Sequence, residues 1–184
     1  GARLVFSALN HLYLMDLPAG PPRRLTTADE GEFMPTWTPD GRSIVYSTWT
    51  SSGGHIKKVA VAGGTPQTLT AHEGYYLDPV VTPDGTRVAF LAGAASDQLY
   101  AIMLDTPPPD HDGPDSPAEI GGIEPSNTLE IRTMPAAGGA QTLVASAQGG
   151  RGLHFTRGDN ERVYFRTNRG LASITLGGYD RRTI

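Results

Sequence analysis

Pro39-Asp40-Gly41-Arg42-Ser43-Ile44-Val45-Tyr46 returns 44 residues later as Pro83-Asp84-Gly85-Thr86-Arg87-Val88-Ala89-Phe90. In each copy an Asp-Gly pair, a tight-turn signal, precedes an apolar run rich in β-branched and aromatic residues, which reads as a turn feeding a strand. A weaker copy, Asp159-Asn160-Glu161-Arg162-Val163-Tyr164-Phe165, follows, and residues 1–7 match 41–47 as the second half of an earlier one. A second marker keeps step: His11-Leu12-Tyr13-Leu14 and His55-Ile56-Lys57-Lys58 are also 44 apart, with Gly20 matching Gly64. Two markers sharing one period mean that one supersecondary unit is repeated.

The unit continues as Glu130-Ile131-Arg132-Thr133-Met134 leading to Gly138-Gly139, and as Ser173-Ile174-Thr175-Leu176 leading to Gly177-Gly178. Its best copy contains four strands, predicted at 33–38, 42–48, 55–61 and 67–70. A unit of about 44 residues holding four antiparallel strands has the size of a propeller blade. The expected fold class is all-β: a partial or open β-propeller of about four blades, at about 1–26 (incomplete), 27–71, 72–146 and 147–184. Residues 94–128 interrupt the third blade as an insertion. No sustained 3.6-residue apolar stripe occurs, so helices should be rare.

Trp37-Thr38-Pro39-Asp40-Gly41, and Val81-Thr82-Pro83-Asp84-Gly85 with Val in place of Trp, resemble the core of the TolB-type, WD-like propeller repeat, Trp-Ser-Pro-Asp-Gly followed by an apolar strand. Phe155-Thr156-Arg157-Gly158-Asp159-Asn160 departs further, with one extra residue. The wording of Gly152-Leu153-His154-Phe155 and Gly177-Gly178-Tyr179-Asp180 is most similar to propeller portions found beside bacterial amidohydrolase domains. The resemblance implies a periplasmic or secreted scaffold that binds a protein or peptide, or gates a hydrolase domain carried elsewhere. In such families the chemistry sits in a separate domain.

Composition narrows the classes. A net charge of -4 and a pI near 5.7 argue against a dedicated nucleic-acid binder. With no cysteine, disulfides and thiolate ligands are excluded. No window approaches the roughly 18 consecutive apolar residues of a membrane-spanning helix. Gly-x-Ser-x-Gly, P-loop and dinucleotide fingerprints are absent, His72-Glu73 lacks a second His at zincin spacing, and the five histidines form no His-x-His pair. No cofactor and no catalytic residue is expected. The alternative is a metal-dependent hydrolase or lyase with ligands lining the propeller channel.

The candidate binding residues are His154 and Arg151, on the first strand of the last blade, and His72, Tyr75 and Tyr76, where one blade crosses to the next. His11 and His55, repeat-equivalent, read as turn or edge residues. In the insertion, Asp110, Asp112 and Asp115 are weak metal candidates: they offer hard oxygens, but Gly113 and Gly121 fall out of EF-hand register. Three prolines and unopposed acids predict a mobile segment over 106–122. Seven of the fifteen basic residues fall between Arg151 and Arg182, which reads as solvated strand faces or as a steering field for an anionic partner. Trp37 is expected to be buried between blades. Because the first blade lacks its first strand, terminal blades should expose apolar faces and self-associate.

Overall fold

The computed structural model describes residues 2–95, 129–147, 150–167 and 169–184. Each repeat forms one antiparallel sheet whose strands are ordered as in the sequence. The first sheet has three strands, β1 (Arg3–Ala8), β2 (His11–Asp16) and β3 (Arg23–Arg24). The second has four, β4 (Gly31–Trp37), β5 (Ser43–Trp49), β6 (Ile56–Ala60) and β7 (Gln67–Thr68). The third is β8 (Tyr75–Val81), β9 (Arg87–Gly93), β10 (Glu130–Pro135) and β11 (Thr142–Ser146). The fourth is β12 (Arg151–Phe155), β13 (Arg162–Thr167), β14 (Gly170–Thr175) and β15 (Arg182–Thr183). These four small antiparallel sheets make a partial β-propeller. Among the described residues no helix is long and apolar enough to cross a membrane.

The sheets stack face to face, and each junction is one apolar cluster. Val5, Leu12, Leu14 and Leu25 of the first blade meet Ile44, Tyr46, Val59 and Val61 of the second. Val45, Ile56 and Leu69 on the second blade's other face meet Val81, Val88, Phe90 and Met134 of the third. Leu91, Ile131 and Val144 then meet Val163, Phe165 and Ile174 of the fourth. Successive residues of a strand point to opposite faces, so Ile44 and Val45 serve two different junctions. This explains why 44–46 in β5 and 88–92 in β9 read as continuous apolar runs: both faces of these strands are covered.

The repeated turn is held by its own side chains. Thr38 Oγ1 donates to Asp40 Oδ1 at 2.6 Å, and the same oxygen accepts the Arg42 N–H at 3.0 Å. Thr82, Asp84 and Thr86 repeat the arrangement at 2.6 and 3.0 Å. Gly41 and Gly85 take φ of +67° and +77°, the left-handed values that favour glycine at this point of the turn. These hydrogen bonds hold both carboxyls below their ordinary value of 3.8, the threonine hydroxyl acting most strongly in each case. A folded-state pKa below the unfolded one gives stability that is present above the unfolded value and lost as pH falls through the folded one. Acid titration should therefore weaken the fold below about pH 4, and the Asp40→Asn, Asp84→Asn protein should show a shallower decline when thermal midpoints are compared between pH 6 and pH 2.

Glu130 pairs with Ala92 across the β9–β10 ladder, so the interruption of the third repeat lies in the connection of one hairpin. Most of the 94–128 insertion lies outside the described residues, and with it Asp110, Asp112, Asp115 and the segment 106–122.

Trp37 corrects one expectation. It is half-buried, packed on the cluster between the first two blades, with the Arg3 guanidinium carbon 5.4 Å from its ring centre. The sheet it faces has three strands; Val81, its repeat-equivalent, faces a four-stranded sheet and is 7% exposed. Trp37→Ala should accordingly cost about 2 kcal/mol, less than the ~3–5 of a fully enclosed aromatic. Urea denaturation measures it, and a midpoint as low as that of a core deletion would contradict this placement.

Candidate functional site: the bulged rim of the first strands

The first strands β4, β8 and β12 neighbour one another in that order and form the inner edge of the arc. Each breaks register with its partner at the same place: between Phe33 and Thr36, between Leu77 and Val80, and between Arg151 and His154. The residues at the break are left-handed, Met34 at φ +52°, Asp78 at +48° and Gly152 at +70°. Proline follows in the first two, Met34-Pro35 and Asp78-Pro79, and a proline cannot donate to a ladder, so the strand is forced to bulge there. Left-handed non-glycine residues carry strain of about 1–3 kcal/mol each, which the surrounding sheets must hold in place.

The bulges are joined from blade to blade. The Asp78 N–H approaches Met34 Sδ at 3.2 Å, and the Gly152 N–H donates to Asp78 Oδ2 at 2.5 Å. In both links a backbone amide freed by the bulge finds its acceptor on the equivalent residue of the preceding blade. Gly152 has no side chain to extend the series.

Around this line the sequence-derived candidates divide. Arg151 and His154 stand on β12 on either side of the Gly152 bulge, so they belong to the rim. His154 is exposed, stacks on Tyr164 with ring centres 5.6 Å apart, and has Nδ1 3.2 Å from the Gly152 carbonyl oxygen. Arg151 is half-buried, and its Nη1 donates to the Gly150 carbonyl at 3.0 Å. Tyr75 and Tyr76 begin β8, on the far side of the bulge from the repeated turn. Tyr76 is 8% exposed, lies edge-on to Phe90 at 5.7 Å, donates to the His72 carbonyl and accepts from Gln141 Nε2. Tyr75 meets Trp49 edge-on at 6.3 Å. His72 is exposed in the crossing between blades, where its carbonyl steadies Tyr76.

His55 Nδ1 is 2.9 Å from Thr70 Oγ1, and His11 Nδ1 is 3.0 Å from Arg24 Nη2, so both histidines make hydrogen bonds within their own blades. In the arginine-rich last blade, Arg162 and Arg182 both pair with Asp180, whose carboxyl lies below its ordinary value because of the Arg182 hydrogen bond first. Among the described residues no three His, Asp or Glu side chains stand together in a metal-holding group. Sequence reading missed Met34 and Asp78, although Pro35, inside the strand predicted at 33–38, and Pro79, 44 residues later, were the available signal.

No family model matches this chain, and no curated protein matches it by sequence. Solved structures do. TolB from Acinetobacter baumannii superposes with a TM-score of 0.65 at 16% identity, over 98% of this chain and 40% of that one. An oligogalacturonate lyase in complex with manganese gives 0.65 at 14%, over 99% and 49%. A puromycin-hydrolyzing peptidase of Mycobacterium tuberculosis gives 0.65 at 16%, over 99% and 27%. This chain thus spans half or less of each of these three proteins. Identities this low carry the architecture alone, and the architecture is common to all three: the chain has the fold of a TolB-like β-propeller, of which it forms a part.

Proposed function

We propose that this chain is a non-catalytic propeller scaffold whose inner rim receives a protein or peptide, or gates a hydrolase domain attached in a longer protein, in the periplasm or outside the cell. The observation that carries the reading is the bulged line Met34, Asp78 and Gly152. It places a carboxylate, exposed His154 stacked on half-buried Tyr164, and half-buried Arg151 along one edge, on strands tied to each other rather than on loose loops. Bulges at the rim of a sheet re-aim side chains, and a rim of mixed charge with a stacked aromatic pair suits an extended peptide better than it suits bond-making chemistry. That the same fold occurs in a TolB and in a lyase and a peptidase is compatible with either standing of the longer protein.

Selection of displayed random peptides on the purified chain tests this. Binders should lose affinity by about tenfold or more on His154→Ala, Arg151→Ala or Asp78→Ala, with the fold retained by circular dichroism. Stoichiometric bound metal together with turnover in a lyase and hydrolase screen would replace the scaffold by an enzyme.

A further inference from the structure

The first residue of each blade's second strand occupies one register position: Arg3 opposite Asp16, Ser43 opposite Ala60, Arg87 opposite Pro135 and Arg162 opposite Thr175. Three of the four are arginine. Where a following blade exists, that arginine crosses to it. The Arg3 guanidinium lies over Trp37 of the second blade. The Arg87 guanidinium donates to the Asn160 carbonyl at 3.2 Å and to Glu161 Oε1 at 2.6 Å, both on the fourth blade. Arg162 instead turns to Asp180 of its own blade.

Only the second blade departs, with Ser43, and between the second and third blades there is a groove of about 260 Å³. One water takes up ~30 Å³ in the liquid, so this is room for a side chain, not for a single solvent molecule. Its lining includes Ser43 and Val81, the latter being the repeat-equivalent of Trp37, on which Arg3 rests. Asp40 and Asp84 face the groove from the two repeated turns. Each uses Oδ1 to hold its own turn, and neither Oδ2 has a hydrogen-bond partner among the described residues. Lys58 also lines the groove, its ammonium engaged by the Ala136 carbonyl at 3.0 Å. At the next junction Asn160 Oδ1 accepts the Asp84 N–H, and the Arg87 guanidinium bridges the two blades through Asn160 and Glu161.

We propose that this groove is a docking site for a guanidinium group, an arginine side chain presented by a peptide or protein partner, which takes the place that the chain's own arginines occupy at the junctions on either side. A planar guanidinium can lie on the Val81 floor and donate to carboxylates on two walls at once, which a compact ammonium does less well. The site is on the turn side of the second and third blades, and it stands or falls apart from the rim, since neither Met34, Asp78 nor His154 lines it.

The test is a titration of the isotope-labelled full chain with N-acetyl-arginine amide, followed by backbone amide shifts, with N-acetyl-citrulline amide as the uncharged isostere. Saturable shifts are expected at Gly41, Gly85 and Ala136, at least about tenfold weaker for citrulline, as befits loss of charge-assisted hydrogen bonds. Ser43→Arg should abolish them by filling the groove from within, and should raise the thermal midpoint. Asp84→Asn should weaken the interaction by about tenfold and decides the matter if Ser43→Arg does not fold. Absence of saturation, equal response to citrulline, or shifts that survive in folded Ser43→Arg would overturn the proposal.

Discussion

Phe90→Ala should lower the unfolding free energy by about 3–5 kcal/mol, seen as a large fall in the urea midpoint. Phe90 has no exposed surface and sits in the cluster that joins the second blade to the third, among Val45, Ile56, Leu69, Val81, Val88 and Met134. It also lies edge-on to Tyr76, a geometry worth about 0.5–1.5 kcal/mol beyond burial. Deleting the ring opens a cavity at the middle junction of the arc, where sheets on both sides limit relaxation. Phe90→Leu, which keeps most of the volume, should cost far less. If the two variants unfolded alike, Phe90 would not be at a packed junction.

The second large effect concerns Glu32, a carboxylate with no exposed surface at all. Its Oε2 accepts the Leu12 N–H at 3.0 Å and the Thr26 hydroxyl at 2.6 Å, so a side chain of the second blade satisfies the backbone of the first. Its Oε1 and the Tyr46 hydroxyl, both fully enclosed, have no hydrogen bond of regular geometry. Burial first, and then the charges of Glu32 and Glu30, push the Tyr46 phenol far above its ordinary value. The phenol therefore remains protonated and able to donate toward the carboxylate. Glu32→Ala leaves the Leu12 N–H and the Thr26 hydroxyl without an acceptor, and each orphaned buried group costs about 1–3 kcal/mol. The expected loss is about 2–4 kcal/mol in denaturant unfolding, while Glu32→Gln, which keeps an acceptor in place, should lose much less. Equal stability of wild type and Glu32→Ala would mean that the first blade is not latched through this residue.

The architecture was legible because local and long-range information agreed. The Asp-Gly turns and the Gly20/Gly64 marks repeat on one period, and Ser43–Trp49 and Arg87–Gly93 take equivalent positions in their sheets. Features that depend on a neighbouring blade were not legible. Trp37 looks like a core aromatic from its own repeat, yet it is half-buried beside a sheet of three strands. Nothing in its own repeat singles out Glu32, and only the approach of Leu12 and Thr26 gives it a buried role. At the rim, Pro35 and Pro79 stand at two of the bulges, whereas Gly152 bulges without a proline and shows itself by the register break, its left-handed φ and its Asp78 partner. The serine at 43 acquires meaning once the sheets are aligned and arginine stands at the other three positions.

The claim that the first strands are joined side chain to backbone into one rim is tested most directly by hydrogen exchange of the Gly152 amide, followed by NMR. The residue lies in a bulge outside the regular ladder, and its N–H has Asp78 Oδ2 as acceptor at 2.5 Å. The account predicts a protected Gly152 amide in the wild-type chain, and in Asp78→Ala a loss of protection of about tenfold or more at that amide while the amides of Ser43–Trp49 keep theirs. Exchange of wild-type Gly152 at the rate of an open loop amide, or protection unchanged by Asp78→Ala, would contradict it.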